Sequence, residues 1–417
     1  MVKKSSAILA CVIVGLCAVF VTGSLLLGGF VIYRAQSGQW NHSTQVSPSA
    51  TGGTAASDQL DYSRLDEIRD VLHQQALNDP NDEDLMNGAA KGMVEGTGDV
   101  YAQYFTAEEY MEFNSDEAGE YVGIGASVNV DSKDNLITIV NVYKGSPAEK
   151  GGLQTGDKLL AVDGTDVTAM TVDDAVKLVK GEAGTQVKLI IQRKSETKEL
   201  TLTRAQVTVD RTEWKMLDTN MGYIKIIEFN GNAATLFEKA VNYLKDQGAK
   251  GFVLDLRNNP GGSYDIVVSI ADQLFPAGPI ITLEDKNGNK TNIATSGASY
   301  LNMPMVVLVN EYSASASELL SGGIQDYKVG TLVGTTTYGK GVAQDFYQFP
   351  DGSALKYTSS RYLTGGGRCP QDVGITPDIQ VELNEAVQND ATLLCTDQDN
   401  QYTTAIAELK KLLDAAK

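Results

Sequence analysis

The chain has 417 residues, 42% hydrophobic and 21% charged, and this length predicts two or three domains. Its net charge of −19 argues against nucleic-acid binding. The only histidines, His42 and His73, lie far from any candidate catalytic segment, so a histidine-based triad is not expected and a zinc site of several histidines is excluded. A serine hydrolase of this composition needs another base, and lysine is the known substitute.

An apolar segment without charge runs from residue 7 to residue 32, which is longer than the roughly 20 residues that cross a bilayer. Lys3 and Lys4 precede it, and this arrangement predicts a cytoplasmic N-terminus. We therefore expect residues 1–34 to form a cytoplasmic tip and a single-pass membrane anchor. Residues 35–57 read as a flexible linker, and the catalytic body is expected outside the cytoplasm. Cleavage after the apolar run remains an alternative.

Residues 58–118 form an N-terminal helical region, because apolar residues recur at helical spacing over 60–77 and 85–94. Residues 385–417 form a C-terminal helical segment with an amphipathic helix over 403–413. These terminal helices either pack on the core or pair with a second copy of the chain, which would give a homodimer. Cys369 and Cys395 either form a disulfide or stay as free thiols.

Residues 119–204 form one small β-rich unit with a short amphipathic helix over 172–180 and a hairpin over 187–202. The turn of Gly123, Ile124 and Gly125 precedes a strand, where its N–H groups could hold a peptide's C-terminal carboxylate. The strand beyond the turn could accept the peptide as an added strand. A packing module that binds nothing is the alternative for this unit.

Residues 205–384 alternate between strands and helices, which predicts an α/β layer with parallel strand pairing. The apolar strand 251–256 ends in the turn Arg257–Gly262, whose glycines let the backbone approach a ligand closely. An ordinary glycine turn is the alternative. Asp351-Gly352 marks a hairpin between strands at 345–349 and 353–357.

The rest of the chain is organised around residues 310–344. A β-type run over 305–309 leads into a Ser-Ala-Ser-Ala-Ser turn that opens a helix, and Lys340 lies between two glycines 25 positions after Ser315. Such a strand-to-helix turn aims N–H groups outward at a positive helix end, which suits a nucleophile and an oxyanion hole. Ser315-Ala-Ser-Glu318 is also a capping box, so simple helix capping is the alternative.

In this order the PDZ-like unit, the Asp-Leu-Arg-Asn-Asn-Pro-Gly-Gly turn and the Ser/Lys segment resemble the C-terminal processing peptidases, or tail-specific proteases. The resemblance covers residues 60–383 and includes Tyr-Ala-Gln-Tyr-Phe at 101–105. It implies a multidomain α/β fold, with a crotonase-like or Clp-protease-like α/β protease core beside a PDZ domain. The chain departs from the family pattern at residues 368–374, so that loop transfers least well.

The resemblance also implies the roles of five residues. Ser315 matches the nucleophile, Lys340 the general base and Gln344 the residue that orients the lysine. Ala316 N–H and a glycine of the Pro-Gly-Gly turn match the oxyanion donors; Gly261 is the first choice for this glycine, and its neighbour Gly262 is the open alternative. To accept the serine proton, Lys340 must be neutral. Burial of a lysine lowers its pKa and so favours the neutral amine.

The activity implied is a membrane-anchored serine endopeptidase that recognises protein C-termini through its PDZ unit, with no metal and no cofactor. Its partners would be protein or peptide substrates with accessible C-termini, and the PDZ unit could also block or release the active site. The alternative function is a membrane-tethered PDZ scaffold on an inactive protease body.

Overall fold

The structure is a computed structural model that describes residues 62–131, 134–218, 220–297 and 300–415. The helices are α1 Ser63–Gln75, α2 Asp82–Glu95, α3 Ala107–Glu117, α4 Pro147–Lys150, α5 Val172–Val179, α6 Ala233–Asp246, α7 Tyr264–Leu274, α8 Ala316–Tyr327, α9 Glu385–Asn389 and α10 Asn400–Ala415. The strands are β1 Gln103–Phe105, β2 Glu120–Gly123, β3 Ala126–Val130, β4 Ile137–Val142, β5 Lys158–Val162, β6 Thr165–Asp166, β7 Gln186–Arg193, β8 Glu196–Thr203, β9 Ala205–Thr208, β10 Thr212–Met216, β11 Met221–Ile226, β12 Gly251–Asp255, β13 Gly278–Asp285, β14 Lys290–Ser296, β15 Met305–Val309, β16 Thr331–Gly334, β17 Val342–Gln348, β18 Ala354–Leu363 and β19 Ile379–Gln380.

The β-rich unit is a sheet in the order β3-β4-β5-β7-β8, with β6 paired to β5. Its own apolar core includes Ile139, Leu159 and Leu189 and is separate from the core of the larger α/β body. Strands β2 and β9 pair with each other at the two chain connections of this unit. The predicted hairpin at 187–202 is confirmed as β7 and β8, and the predicted helix at 172–180 as α5.

The larger α/β body is built on a six-stranded sheet in the order β10-β11-β12-β15-β16-β19. All its strand pairs are parallel except β10 with β11, which confirms the predicted parallel layer. Strands β12 and β15 are buried along their whole length, as expected for parallel strands covered on both faces. The strand expected at 379–383 is only the two residues of β19.

Apolar side chains leave the parallel sheet on both faces. On one face Ile224, Leu254 and Val307 join a core with helices α6, α7 and α8. On the other face Tyr223 and Val253 pack with the C-terminal helix α10. Helix α10 therefore packs on the core, which was one of the two expectations for the terminal helices. Helices α1 and α2 have no buried side chains among the residues that the structure describes.

A second sheet of the body is antiparallel, in the order β1-β18-β13-β14, with β17 also paired to β18. The hairpin around Gly352 is confirmed as β17 and β18, and β18 is longer than expected. The sequence reasoning did not foresee β1, β13 and β14. Strand β1 precedes the β-rich unit in the chain, yet it pairs with β18 of the body, so the body includes residues from both sides of the PDZ-like unit.

The sequence also led to expectations for the apolar N-terminal run and for the two C-terminal cysteines. The apolar run at residues 7–32 lies outside the described residues, and within the described ranges no helix is long and apolar enough to cross a membrane. Cys369 and Cys395, for which a disulfide and free thiols were both open, are free thiols in this structure.

Candidate active site

Ser315 lies where β15 turns into helix α8, and its backbone is strained. Its φ of 55° and ψ of −113° fall outside the regions that ordinary L-residues prefer. Such conformations cost about 1–3 kcal/mol and are retained where the surrounding contacts enforce them. The next residue, Ala316, is the first of α8, and its N–H finds no acceptor in the described part of the chain. The turn therefore offers a free amide beside Ser315 at a positive helix end.

Two turns are joined beside Ser315. Ser313 Oγ donates to the carbonyl of Leu256 at 2.8 Å, and Ser317 Oγ donates to the carbonyl of Asn259 at 2.9 Å. The N–H of Ala314 donates to the same Asn259 carbonyl at 3.0 Å. The serines on either side of Ser315 thus fasten its turn to the Arg257–Gly262 turn. The sequence did not predict that Ser313 and Ser317 would hold the turn while Ser315 lies between them.

The glycine turn lies directly against Ser315. A Cβ on Gly261, whose φ is +107°, would come within 2.8 Å of Ser315 Cβ and of the Ala314 carbonyl oxygen. The N–H of Gly261 donates to Asn259 Oδ1 at 2.9 Å, so this expected oxyanion donor is already engaged. The N–H of Gly262 has no acceptor among the described residues.

One buried carboxylate joins the serine segment to the lysine segment. Glu318 Oε2 accepts the N–H of Ser315 at 2.8 Å and the N–H of Lys340 at 2.9 Å. Its Oε1 accepts the N–H of Gly339 at 2.7 Å and the hydroxyl of Thr337 at 2.6 Å. Burial raises the pKa of Glu318, while these four hydrogen bonds act to lower it. The capping-box glutamate therefore positions Lys340 as well as capping α8.

A buried tyrosine connects the same two segments. Tyr362 Oη lies 2.8 Å from the carbonyl oxygen of Ser315 and 2.7 Å from that of Lys340. Its hydroxyl proton therefore lies within donating distance of both carbonyls. Burial raises the pKa of Tyr362 well above its ordinary value, so the phenol keeps its proton. Ser315 and Lys340, 25 positions apart in sequence, are thus held together through their main chains by Glu318 and Tyr362.

The Lys340 amine lies in a partly desolvated environment. Burial lowers its pKa, and the positive charge of Lys356 lowers it further, while Asp99 and Glu318 act in the opposite direction. Within the described ranges, no hydrogen bond joins Lys340 Nζ to Ser315 Oγ. A lysine with a lowered pKa beside a strained serine and free amides can support acyl transfer once the amine reaches the hydroxyl.

Gln344 does not contact Lys340 through a hydrogen bond in this structure. Its Nε2 lies 3.4 Å from Thr358 Oγ1, on the neighbouring strand β18. The backbone after the lysine is held by another glutamine instead, because Gln371 Oε1 accepts the N–H of Gly341 at 2.9 Å. A Cβ on Gly341 would lie 2.4 Å from the backbone nitrogen of Gln371, which explains this glycine. The 368–374 loop, which departs from the family pattern, thus supports the lysine segment.

The PDZ-like unit has an apolar groove at its exposed edge strand β3. Gly123 and Ile124 line a cavity of about 70 Å³ together with apolar residues of β3, β4 and α5. The N–H groups of Ile124 and Gly125 have no acceptor in the described part of the chain. Lys180, at the rim of this groove, forms an ion pair with Glu112 of α3. The groove thus offers free amides, an apolar floor and a nearby cation.

Two protein-family profiles match this chain, one over the α/β body and one over the β-rich unit. The peptidase family S41 profile matches residues 220–381, and a PDZ domain profile matches residues 138–193. The chain is 34% identical over 364 residues to the carboxy-terminal processing protease CtpA of Bacillus subtilis, covering 87% of this chain and 76% of that protein. It is 36% identical over 332 residues to a CtpA-like serine protease of Staphylococcus haemolyticus, covering 79% of this chain and 66% of that one, just under two thirds of its length.

Among solved structures, a protein of Bacteroides fragilis described as an S41 protease aligns with a TM-score of 0.52 and 18% identity. The alignment covers 84% of this chain and 97% of that chain. This similarity supports the fold. The fold and site define a serine peptidase that carries a PDZ domain. The chain belongs to peptidase family S41, among the C-terminal processing peptidases.

Proposed function

We propose that this chain is a membrane-anchored serine endopeptidase that uses Ser315 as nucleophile and Lys340 as general base. It acts outside the cytoplasm on proteins whose C-termini its PDZ domain binds. The observation that carries the catalytic proposal is the shared hydrogen bonding of Glu318 Oε2, which accepts the main-chain N–H groups of both Ser315 and Lys340. Tyr362 adds a second connection between the same two segments.

In the proposed reaction Ser315 Oγ attacks the substrate carbonyl while neutral Lys340 Nζ takes the hydroxyl proton. The developing oxyanion is bound by the N–H of Ala316 and by the glycine turn. Of that turn's two candidate amides, the N–H of Gly262 is the one without an acceptor in this conformation. Lys340 then returns its proton to the leaving amine, and water releases the acyl group. Gln344 takes its orienting role in a conformation where the amine faces Ser315.

The PDZ groove supports recognition of a substrate C-terminus. Its free Ile124 and Gly125 amides suit a carboxylate, its apolar floor suits an apolar last side chain, and edge strand β3 can pair with an added strand. The charge-free run over residues 7–32 supports the membrane anchor. The exposed apolar side chains of α1, among them Leu65, Ile68 and Val71, support pairing with a second copy.

The test is hydrolysis of an unfolded model protein by the full-length chain, beside its Ser315→Ala and Lys340→Ala variants. We expect the parent to cleave and both variants to lose at least about 1,000-fold in activity, while their melting temperatures stay near that of the parent. Lys290→Ala, at an exposed lysine of strand β14, serves as the matched control and should stay active. Full activity in Lys340→Ala would exclude the dyad. A folded parent that binds C-terminal peptides but never cleaves would favour the inactive scaffold.

A further inference from the structure

The Lys340 amine faces an aromatic ring from a distant part of the chain. Lys340 Nζ lies 4.5 Å from the ring centroid of Tyr101, within the range of a cation–π contact. Tyr101 precedes the PDZ domain and lies outside the region matched by the S41 profile. In the sequence, residues 101–105 contributed only to the family resemblance, and they lie in the predicted N-terminal helical region, 58–118.

The segment that carries Tyr101 is fixed to the body from two directions. Asp99 Oδ1 accepts the N–H of Tyr101 at 2.9 Å, and Asp99 Oδ2 accepts the N–H of Thr358 in β18 at 3.2 Å. Immediately afterwards β1 pairs with β18, in the register Gln103 opposite Lys356. The same Thr358 receives the side chain of Gln344. The Tyr101 ring is therefore held against the lysine by the Asp99 carboxylate and by the pairing of β1 with β18.

We propose that Tyr101 is a positioning residue for Lys340, whose aromatic face covers the amine, holds it in the site and excludes water from it. The proposal rests on the proposed Ser315–Lys340 dyad and adds to it a side chain from before the PDZ domain. The protease site is then completed by both sides of the PDZ insertion, so residues 205–384 alone do not contain all of it.

The ring has a definite electrostatic effect. The face of an aromatic ring stabilises an ammonium ion, so Tyr101 favours the charged form of Lys340, whereas the ring's exclusion of water favours the neutral form. Replacing Tyr101 by an apolar side chain without a ring removes the stabilisation of the ammonium but keeps the exclusion of water. Burial raises the pKa of Tyr101 itself, and Tyr338 and Asp372 raise it further, so the phenol stays neutral.

Other charged and titratable groups around the Lys340 amine also act on its pKa. Asp99 of the segment before β1 and Glu318 of α8 favour the ammonium, and Lys356 of β18 disfavours it. Tyr362 of β18 stays protonated, and Tyr338 and Asp372 lie beside the Tyr101 hydroxyl. Tyr338 loses its hydrogen bond to the Tyr101 hydroxyl in both Tyr101→Phe and Tyr101→Leu, so the difference between these two variants in the titration of Lys340 reports the ring face.

The experiment is the pH dependence of kcat/KM for the full-length chain and its Tyr101→Phe and Tyr101→Leu variants on one unfolded protein substrate. Rate should rise with pH as Lys340 loses its proton. Phenylalanine keeps the ring face and should leave the midpoint of this rise in place. Leucine should move the midpoint down by about 0.5–1 pH unit, because the ammonium loses its cation–π contact. The rate above the midpoint should also fall about 10-fold, because the amine is held less well.

Tyr104→Leu is the matched control, because Tyr104 follows Tyr101 by three residues, on β1, but packs on Phe349 and donates a hydrogen bond to Asn87. It should keep the parental profile. If Tyr101→Leu does not fold, Tyr101→Met tests the same prediction with an unbranched apolar side chain. A midpoint that is unchanged in the folded variant, or that moves equally in Tyr104→Leu, would overturn the proposal for Tyr101. If Lys340→Ala is inactive in the same assay, that result leaves the dyad standing; if Lys340→Ala is fully active, the dyad itself fails.

Discussion

At the scale of single residues, the site depends on side chains that do not react. Ser315 is held in a strained conformation, and the cost of that strain must be offset by contacts around it. Glu318 supplies one of them by accepting the N–H of Ser315, and the same buried carboxylate accepts three more hydrogen bonds from residues 337–340. A capping glutamate in an ordinary helix would accept one. We therefore expect the proposed chemistry to depend on Glu318 as well as on Ser315 and Lys340.

The first prediction concerns this carboxylate. Glu318→Gln keeps the shape but replaces one acceptor oxygen with an NH₂ group that faces N–H donors, so two donors lose their partner. We expect the free energy of unfolding to fall by about 2–3 kcal/mol and kcat/KM to fall at least about 10-fold. Urea denaturation and the proteolysis assay measure both. Glu311→Gln is the control, because exposed Glu311 accepts only the Thr335 hydroxyl among the described residues. Equal effects in the two variants would contradict the prediction.

A second prediction concerns Lys356, whose amine lies over the rings of Phe105 and Phe113. Its positive charge lowers the pKa of Lys340, after burial, which is the larger cause. Lys356→Met removes that charge, so Lys340 keeps its proton to a higher pH. The midpoint of the rise of kcat/KM with pH should move up by a few tenths of a unit. Lys411→Met on the exposed face of α10 should leave it unchanged. A downward shift in Lys356→Met would refute the assignment.

At the scale of elements, the strand β12 and the C-terminal segment share a buried ionic cluster. Arg257 lies two residues after the end of β12, at the start of the glycine turn, and its guanidinium pairs with Asp255 at 2.7 Å and with Asp399 at 2.8 Å. All three side chains are at most 3% exposed. Asp399 also accepts the N–H of Tyr402 in the first turn of α10. The cluster therefore links the glycine turn beside Ser315 to the last helix.

A third prediction follows from this cluster. Asp399→Ala leaves Arg257 buried with one carboxylate instead of two, and breaking such a pair typically costs about 3–5 kcal/mol. The midpoint of urea denaturation should fall accordingly. Asp397→Ala, two residues earlier and exposed, should change stability by less than about 0.5 kcal/mol. If the two variants were equally stable, the cluster would not hold the C-terminal segment.

At the scale of the whole molecule, the PDZ domain is inserted between β1 and the rest of the protease body. Strand β1 pairs with β18, and α3, which follows β1, carries Glu112 to its ion pair with Lys180 at the rim of the PDZ groove. A single short helix thus separates the segment over Lys340 from the contact at the groove. Gating of the active site by the PDZ domain, which the family resemblance implies, stays a prediction; in this arrangement a movement of the PDZ domain would act on α3 through this ion pair.

The prediction at this scale concerns the substrate. A protein substrate whose C-terminal carboxylate is amidated loses the negative charge that the free amides of Ile124 and Gly125 would bind. We expect its kcat/KM to be about 10-fold lower than that of the free acid. Two otherwise identical substrates, with an apolar last residue, provide the matched pair. Equal rates would show that the groove does not read the C-terminus.

The sequence by itself determined the elements whose signals are local. Apolar runs predicted the parallel strands, the Asp-Gly turn predicted the hairpin, and the order of the motifs predicted the family. Ser315 and Lys340 were predicted in this way, because a serine-rich helix start and a lysine between glycines are visible in the chain itself, and their catalytic roles stay predictions. Glu318 was visible too, although its sequence signal predicted only a cap.

Only the tertiary structure decided which residues meet across the chain. Tyr101, Tyr362 and Gln371 belong to three separate segments, and no local pattern marks them as neighbours of Lys340. The pairing of β1 with β18 brings Tyr101 to the site. Tyr362 lies in β18, and Gln371 lies in the loop that follows β18. The engagement of the Gly261 amide by Asn259 was likewise invisible, because it depends on backbone geometry. Side-chain periodicity encodes burial, whereas contacts between distant segments depend on how the buried faces pack.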